Sequence, residues 1–207
     1  MGSVPINMLN TDIDPLLAKA DALIFDCDGT LIETAPLYAR AWASGFALSG
    51  REMPADWYEA RAGLSEYVLM DDFEALHDVT LDRDCTVTQM RETFLRELAS
   101  LREIAVVAEI ARRNHGERRM AVASGGPAAI VEPSLKATGL ANLFDTVVTF
   151  DDVGRAKPDP ALFLEAARRL GVPPKRCLVF EDSRQGIEAA KRAGMHVVDV
   201  AELVLAP

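Results

Sequence analysis

The sequence predicts an α/β protein with an open parallel sheet and a helical domain inserted after its first strand. Three observations support this fold class. Apolar runs suited to strands alternate with helical segments after residue 101. Residues 34–100 show apolar residues at helical spacing and no strong strand-like run. Residues 22–25 are a continuous apolar run, which suits a strand that is buried on both faces.

The first predicted strand ends in a loop with an unusual charge pattern. Asp26 and Asp28 follow the apolar run, and Gly29 and Thr30 come directly after them. Two like charges at the end of a buried strand repel each other and resist desolvation, so a gain in stability does not explain them. Such a pair indicates a bound cation or a reaction, with a capped turn as the structural alternative. Gly29 also allows the backbone to turn and its N–H to approach an anion.

The inserted segment, residues 34–100, is predicted to be helical throughout. Tyr38, Trp42 and Phe46 are spaced four residues apart and therefore form one apolar face. Aromatic residues in this pattern usually belong to a core, and the charged residues between them form a solvated face. Residues 61–65 interrupt the helical pattern in its middle.

Glycine and proline residues mark the helix ends in the remainder of the chain. Pro160, for example, suits a first helical turn that Asp159 caps, and Gly171 follows the end of the same helix. Helices are predicted over residues 103–114, 128–138, 160–170 and 184–193. Strands are predicted over residues 22–25, 120–123, 146–150, 177–180 and 196–200. Residues 1–20 precede the first strand as a leader, with a short helix starting near Asp14.

The composition excludes several classes of protein. A net charge of -10 argues against binding to nucleic acid or to anionic membranes, since both require a basic surface. The 3 cysteines show no C-x-x-C spacing, which argues against a disulfide framework or a zinc site and favours a reducing compartment. No apolar run has the length of a signal peptide or a membrane span. We therefore expect a cytoplasmic protein, of an oligomeric state that the sequence does not reveal.

Polar side chains follow four predicted strands at their carboxyl ends, where open α/β sheets bind ligands. They are Asp26 and Asp28 after the first strand, Ser124 after the second, Lys157 on the loop after the third, and Glu181 and Asp182 after the fourth. Several carboxylates without a histidine or cysteine ligand favour a hard divalent cation, above all Mg²⁺.

A lysine and a hydroxyl beside this cation site suit a phosphate group. The loop of Ser124 and Gly125 opens a helix, so its backbone N–H groups add to an anion site. Phosphoryl transfer depends on positioning and charge neutralisation, which Lys157 and a metal would provide. One aspartate would form an aspartyl-phosphate and the other would move protons. The spacing of Asp26 and Asp28 does not decide which has which role.

The order of these motifs resembles the haloacid dehalogenase superfamily. The resemblance rests on D-x-D-G-T at residues 26–30, on Ser124, on Lys157 before Pro158, and on E-D-S at residues 181–183. R-A-W at 40–42, K-P-D-P at 157–160 and F-E-D-S at 180–183 resemble the β-phosphoglucomutase-like branch, and within it the fructose-1-phosphate phosphatase-like members. The resemblance implies a Rossmann-like catalytic core of residues 1–33 and 101–207, with residues 34–100 as an all-helical cap that closes over the substrate.

The resemblance also implies a role for each site residue. It implies Asp26 as the nucleophile, Asp28 as the acid and base, and Lys157 as the third catalytic residue. Mg²⁺ would be bound by Asp26, the Asp28 backbone carbonyl and Asp182, with Glu181 nearby. The phosphate group would contact Gly29, Ser124, Gly125 and Lys157.

Four residues in or near the cap are candidates for setting the substrate, namely Arg61, Leu64, Tyr38 and Glu33. Two of them depart from the family: many relatives have aspartate at position 33, and sugar-phosphate relatives often have histidine at position 38. In the cap loop, Ala62 and Glu66 stand where the mutases have lysine and arginine. Without the lysine and the arginine, a mutase would lack the positive charges that bind a second phosphate.

We therefore predict a Mg²⁺-dependent phosphatase for a small phosphorylated metabolite, above all a sugar phosphate. One alternative is a β-phosphoglucomutase-like isomerase, which would require a bisphosphate activator. Another is a non-catalytic phosphometabolite-binding protein, although such a protein should have lost a catalytic residue. Asp26, Asp28, Ser124, Lys157 and Asp182 are all present.

Overall fold

A parallel sheet of five strands forms the centre of the protein within residues 13–205, the part that this computed structural model describes. In chain order, the strands are β1 (Ala22–Phe25), β2 (Ile32–Glu33), β3 (Arg102–Glu103), β4 (Arg119–Ala123), β5 (Thr146–Val148), β6 (Cys177–Glu181) and β7 (His196–Asp199). The sheet order is β5-β4-β1-β6-β7, and every neighbouring pair is parallel. The predicted open parallel α/β fold is therefore confirmed.

Helices cover the sheet and form the segment between β2 and β3. In chain order they are α1 (Asp14–Leu17), α2 (Ala35–Phe46), α3 (Ala55–Glu59), α4 (Glu66–His77), α5 (Arg83–Arg96), α6 (Ala105–Asn114), α7 (Ala128–Ala137), α8 (Phe150–Val153), α9 (Ala161–Leu170), α10 (Arg184–Arg192) and α11 (Val200–Leu205). Single turns of 3₁₀ helix lie at Ala47–Ser49, Leu98–Ser100, Ala141–Leu143 and Pro174–Arg176. Among the described helices, none combines the length and the apolar character needed to cross a membrane.

Strand β1 lies in the middle of the sheet and is buried on both faces. Leu23 and Phe25 pack into the larger apolar layer, whereas Ala22 and Ile24 pack into the layer on the opposite face. This alternation explains why the run is apolar at every position, since successive side chains of a strand point to opposite faces. Phe25 pairs with Val122 of β4 on one side and with Phe180 of β6 on the other. The loops after these three strands therefore begin at the same level.

Helices α2, α3 and α4 share an aromatic core. The rings of Phe46 and Phe73 stack with their centroids 3.9 Å apart, and Trp57 meets both rings edge-on at 5.9 Å. These side chains are buried, so their helical spacing reflects packing and not a ligand site.

Two short strands join the helical segment to the sheet. β2 and β3 form an antiparallel pair, with Ile32 opposite Glu103 and Glu33 opposite Arg102. The prediction of a helix from residue 103 was therefore wrong at its start, because Arg102 and Glu103 pair with the chain as it leaves the first loop. Helix α6 begins at Ala105.

Further differences concern segment ends. The fifth predicted strand, residues 196–200, ends at Asp199, because helix α11 begins at Val200. The third predicted strand, residues 146–150, ends at Val148, because Thr149 and Asp152 form a capping box that starts the short helix α8. At the amino end, α1 covers Asp14–Leu17, and the part of the predicted leader before residue 13 lies outside the described residues.

Candidate active site

Asp26 lies at the carboxyl end of β1, where it is only 5% exposed. Its N–H donates to the Phe180 carbonyl at 3.0 Å, so the backbone pairing with β6 continues one residue past β1. This hydrogen bond fixes the position of the Asp26 backbone, from which the side chain extends. Burial raises the pKa of Asp26 well above its ordinary value; Lys157 opposes this shift, and the charge on Glu181 adds to it. A buried carboxylate of this kind needs a cation beside it to stay ionised.

Lys157 provides a positive charge next to Asp26. Its Nζ donates to Asp26 Oδ1 and, at 2.7 Å, to Glu181 Oε1. Burial lowers the pKa of Lys157, but the carboxylates of Asp26 and Glu181 outweigh burial and raise the pKa above its ordinary value. The lysine is therefore a fixed ammonium ion between two acidic side chains.

Glu181 is held in place at both of its oxygens. Oε1 accepts from Lys157, and Oε2 accepts from the Ser183 N–H at 2.5 Å. Gly186 in the first turns of α10 leaves room for this carboxylate, because a Cβ at that position would overlap it. Glu181 is fully buried, so it depends on these partners for its charge to be tolerated.

Asp182 turns towards the first loop. Thr30 Oγ1 donates to Asp182 Oδ1 at 2.9 Å. Burial raises the pKa of Asp182 to about 6, and the neighbouring Glu181 charge contributes to the shift. Gly29 has a φ of +83° and lies so close that a Cβ would overlap the Asp182 carboxylate. Its N–H donates to the Ile32 carbonyl at 2.9 Å, and the phosphate contact predicted for Gly29 stays a prediction.

Three carboxylates converge at this edge of the sheet. Asp26, Glu181 and Asp182 each offer an oxygen atom, and these atoms lie within 4.8 Å of one another. A set of hard oxygen donors that includes no nitrogen or sulfur fits a divalent cation such as Mg²⁺. Among the described residues, the Asp28 carboxylate is not part of this group, and its predicted contribution is through the backbone carbonyl.

The Asp28 side chain turns towards Ser124. Ser124 Oγ donates to Asp28 Oδ2 at 3.3 Å. Burial raises the pKa of Asp28, while hydrogen bonds from Thr34 and Ser124 oppose the shift. The two aspartates therefore have different partners: Asp26 faces the lysine, and Asp28 faces hydroxyl groups.

The Ser124 loop presents its hydroxyl beside the first loop. Ser124 is fully buried, and its Oγ also accepts from the Gly126 N–H at 3.0 Å, while Gly125 is exposed. At the start of α7, the Ala128 N–H donates to Asp151 at 2.9 Å, so this group is already engaged. The phosphate contacts predicted for Ser124 and Gly125 stay predictions.

Arg61 and Leu64, two of the four specificity candidates, lie between helices α3 and α4. Arg61 donates to Asp72 at 2.9 Å, and its guanidinium lies 4.5 Å from the centre of the Trp57 ring. Leu64 is 36% exposed. Arg61 is thus tied to its own helical segment in this structure.

The other two candidates lie at the start of the helical segment. Glu33 is exposed in β2, whereas Tyr38 in α2 is partly buried and packs against Phe94 with ring centroids 4.6 Å apart. Burial raises the pKa of Tyr38 strongly, and the nearby charge of Asp28 raises it further. The pKa of the Tyr38 hydroxyl therefore depends on the charge of Asp28 in the first loop.

A cleft of about 560 Å³ opens beside Asp182. Its wall combines Ala62 of the helical segment with Pro158, Ser183 and Arg184 of the sheet-bearing part. Asp182, one of the three clustered carboxylates, is therefore reached through a space between the two parts of the chain.

Sequence reasoning missed three residues of this arrangement. Thr30 was quoted in the motif without a role, and nothing distinguished Thr34 from other threonines. Gly186 carried a usable signal, because glycine in a helix costs about 1 kcal/mol relative to alanine and is kept there for a packing reason.

Comparison with known proteins agrees with this geometry. The family model for haloacid dehalogenase-like hydrolases matches residues 20–194. The chain is 36% identical to the fructose-1-phosphate phosphatase YqaB of Escherichia coli K12, over 86% of this chain and 95% of that protein. It is 33% identical to a phosphorylated carbohydrates phosphatase of Thermotoga maritima, over 84% and 82% of the two chains. A crystal structure from Thermotoga maritima, described as a candidate β-phosphoglucomutase, has a TM-score of 0.71 at 29% identity and covers 86% of this chain and 84% of that one.

Proposed function

The chain belongs to the haloacid dehalogenase-like hydrolase family as a phosphatase, and from this premise we propose that it hydrolyses a small phosphorylated sugar through an aspartyl-phosphate on Asp26. The observation that carries the proposal is the position of Lys157 between Asp26 and Glu181. A lysine fixed against a nucleophilic carboxylate lowers the repulsion that this carboxylate would exert on a phosphate dianion.

Mg²⁺ is the proposed cofactor. Asp26 and Asp182 would hold it together with the Asp28 carbonyl, and Glu181 would stay close by as the partner of Lys157. When bound, the cation neutralises negative charge on the phosphate and on the carboxylates around it.

Asp26 performs the first chemical step. One of its oxygens attacks the phosphorus atom, and the bond between phosphorus and the leaving-group oxygen breaks. Asp28 gives a proton to that oxygen, which leaves as an alcohol. The raised pKa of Asp28, which burial causes, favours the protonated form that this step needs.

Asp28 also serves the second step. It accepts a proton from a water molecule as the water oxygen attacks the phosphorus of the aspartyl-phosphate. The bond between phosphorus and Asp26 then breaks, which releases inorganic phosphate and restores both aspartates. Ser124 Oγ, which donates to Asp28 Oδ2 at 3.3 Å in this structure, would turn its single O–H to a phosphate oxygen when substrate binds.

We assign residues 34–100 as the cap of this site. The β2–β3 pair would be the hinge, since it joins both ends of the segment to the sheet-bearing part. Ala62 on the wall of the cleft supports this assignment, because it places the helical segment across from Asp182. Closure of such a cap excludes water from the reaction.

Phosphate release from a panel of phosphorylated sugars tests the proposed function. We expect release in the presence of Mg²⁺ and a loss of release on addition of EDTA, because the carboxylate cluster then lacks its cation. Restoration of activity by excess Mg²⁺ is the control for nonspecific effects of EDTA.

Other outcomes of the panel would contradict the proposal. Phosphate release that is unaffected by EDTA would argue against the metal. Conversion of a sugar phosphate to its isomer, seen only with a sugar bisphosphate present, would identify a mutase. Absence of turnover with every compound would favour a binding protein.

A further inference from the structure

We infer that Arg184, on the wall of the cleft beside Asp182, binds a carboxylate of the leaving group, so that the enzyme prefers a phosphorylated sugar acid to a neutral phosphorylated sugar. This inference rests on the proposed phosphatase function and adds the chemical class of the substrate. Arg184 belongs to the sheet-bearing part of the chain, where it is the first residue of α10.

The cleft of about 560 Å³ brings Arg184 together with the carboxylate cluster. Arg184 and Gln185 line the cleft next to Asp182, one of the three clustered carboxylates. Ala62, which faces them from the helical segment, adds no charge or hydrogen-bonding side chain to the wall. A substrate with its phosphate at the cluster would extend its leaving group into this cleft, within reach of the Arg184 guanidinium.

Arg184 carries a positive charge that the described part of the chain does not balance. Its side chain is exposed and has no ion pair or hydrogen bond within residues 13–205. Glu188, one helical turn further along α10, is the partner that helix geometry offers. Glu188 instead pairs with Arg192 at 2.8 Å, so its negative charge on the cleft wall is neutralised and that of Arg184 is left over.

Stability does not explain an arginine at this position. The first turn of a helix lies at the positive end of the helix dipole, where acidic side chains are favourable and cations are not. Helix α10 is already capped by Ser183, whose hydroxyl accepts from the Gly186 N–H at 3.0 Å. An unpaired cation at an unfavourable position beside a candidate active site indicates a negatively charged ligand.

The transferred phosphate group is not the ligand that Arg184 is needed for. Lys157 already supplies a cation next to Asp26, and the proposed Mg²⁺ would add two further positive charges. A single guanidinium balances one negative charge, and its planar fork matches the two oxygens of a carboxylate. A second phosphate dianion would remain half neutralised on a wall that also carries Asp182 and Glu188. The charge balance therefore favours a carboxylate.

The test compares three phosphate esters that differ only at carbon 1. They are sorbitol 6-phosphate, which has a hydroxymethyl group there, 6-phosphogluconate, which has a carboxylate, and sorbitol 1,6-bisphosphate, which has a second phosphate. For each ester, kcat and KM are measured with Mg²⁺ for the wild type and for the variants Arg184→Gln and Arg184→Lys.

We expect the wild type to have a higher kcat/KM for 6-phosphogluconate than for the other two esters. Arg184→Gln should lower the ratio of kcat/KM for 6-phosphogluconate over sorbitol 6-phosphate about 10-fold, the effect of one lost hydrogen bond to a charged group. Arg184→Lys should keep part of this ratio, because it retains the charge and loses the planar fork.

Arg119→Gln is the matched control. Arg119 is exposed and is the first residue of β4, at the edge of the sheet opposite the carboxylate cluster. Its replacement changes the net charge of the protein by the same amount as Arg184→Gln, so it reports any effect of overall charge. We expect it to leave the ratio unchanged.

Four results would overturn the inference. A wild type that hydrolyses sorbitol 6-phosphate as well as 6-phosphogluconate does not recognise the carboxylate, and the proposed phosphatase would still stand. A ratio in Arg184→Gln equal to that of Arg119→Gln would exclude Arg184 from this recognition. A preference for the bisphosphate that Arg184→Gln abolishes would replace the carboxylate by a second phosphate. A wild type that hydrolyses none of the three esters would overturn the proposed function, and this inference with it.

Discussion

Replacement of Asp26 by Asn is expected to reduce phosphate release by on the order of 10⁴-fold or more, because an amide does not form the covalent intermediate. Asparagine has nearly the same size as aspartate, so the packing around the 5% exposed side chain should be kept. The measurement is phosphate release by wild type and variant at saturating Mg²⁺ and substrate, with the thermal unfolding midpoint recorded for both.

Asp21→Asn is the matched control for this prediction. Asp21 lies directly before β1, at the opposite end of the same strand, and forms an exposed ion pair with Arg176 at 2.5 Å. Exposed ion pairs contribute only about 0–1 kcal/mol to the free energy of unfolding. We therefore expect Asp21→Asn to leave phosphate release within roughly twofold of the wild type, because substitutions at the surface have small effects. Asp26→Asn with activity near that of Asp21→Asn would exclude Asp26 as the nucleophile.

Replacement of Lys157 by Met is expected to lower the free energy of unfolding by about 3–5 kcal/mol in EDTA, the usual effect of removing one partner of a buried ion pair. Lys157, Asp26 and Glu181 have side chains that are 10%, 7% and 1% exposed, and the change would leave both carboxylates without their shared cation. Urea denaturation with and without Mg²⁺ measures the effect. The loss should be smaller with Mg²⁺, because the metal replaces part of the missing positive charge.

Lys175→Met is the control for the loss of a lysine. Lys175 is exposed in the turn Pro174–Arg176, and its replacement should change the free energy of unfolding by less than about 0.5 kcal/mol. A loss for Lys157→Met as small as this would mean that Lys157 does not stabilise the buried carboxylates. A loss unaffected by Mg²⁺ would argue against a cation at this carboxylate cluster.

The strands of the sheet were predictable because a central parallel strand is apolar at every position. Residues 22–25 needed no long-range information, and the glycines that close the helices were equally local signals. The β2–β3 pair was not predictable in the same way, because each strand has two residues and gains its conformation only from its partner. Tertiary pairing therefore overrode the helical pattern at Arg102 and Glu103.

The residue types of the candidate site were readable from the sequence, but their partners were not. Strand ends identified Asp26, Lys157 and Glu181 as neighbours, since parallel strands bring their carboxyl ends together. Which atom each side chain contacts depends on loop geometry, and the Glu181 contacts with Lys157 and Ser183 appear only in the structure. In the same way, the sequence does not show that Arg61 contacts Asp72 and Trp57, and these contacts occupy a side chain that was a candidate for binding substrate.

Chemical trapping of the phosphorylated residue tests the covalent route most directly. The wild-type enzyme is mixed with Mg²⁺ and its preferred substrate, quenched in acid during turnover and reduced with borohydride, which converts an acyl phosphate to an alcohol. Mass spectrometry of the peptides then shows which side chain was phosphorylated. The account predicts modification at Asp26 and at no other carboxylate of the cluster. Full-rate phosphate release with an unmodified Asp26, or with the phosphoryl group on another residue, would contradict it.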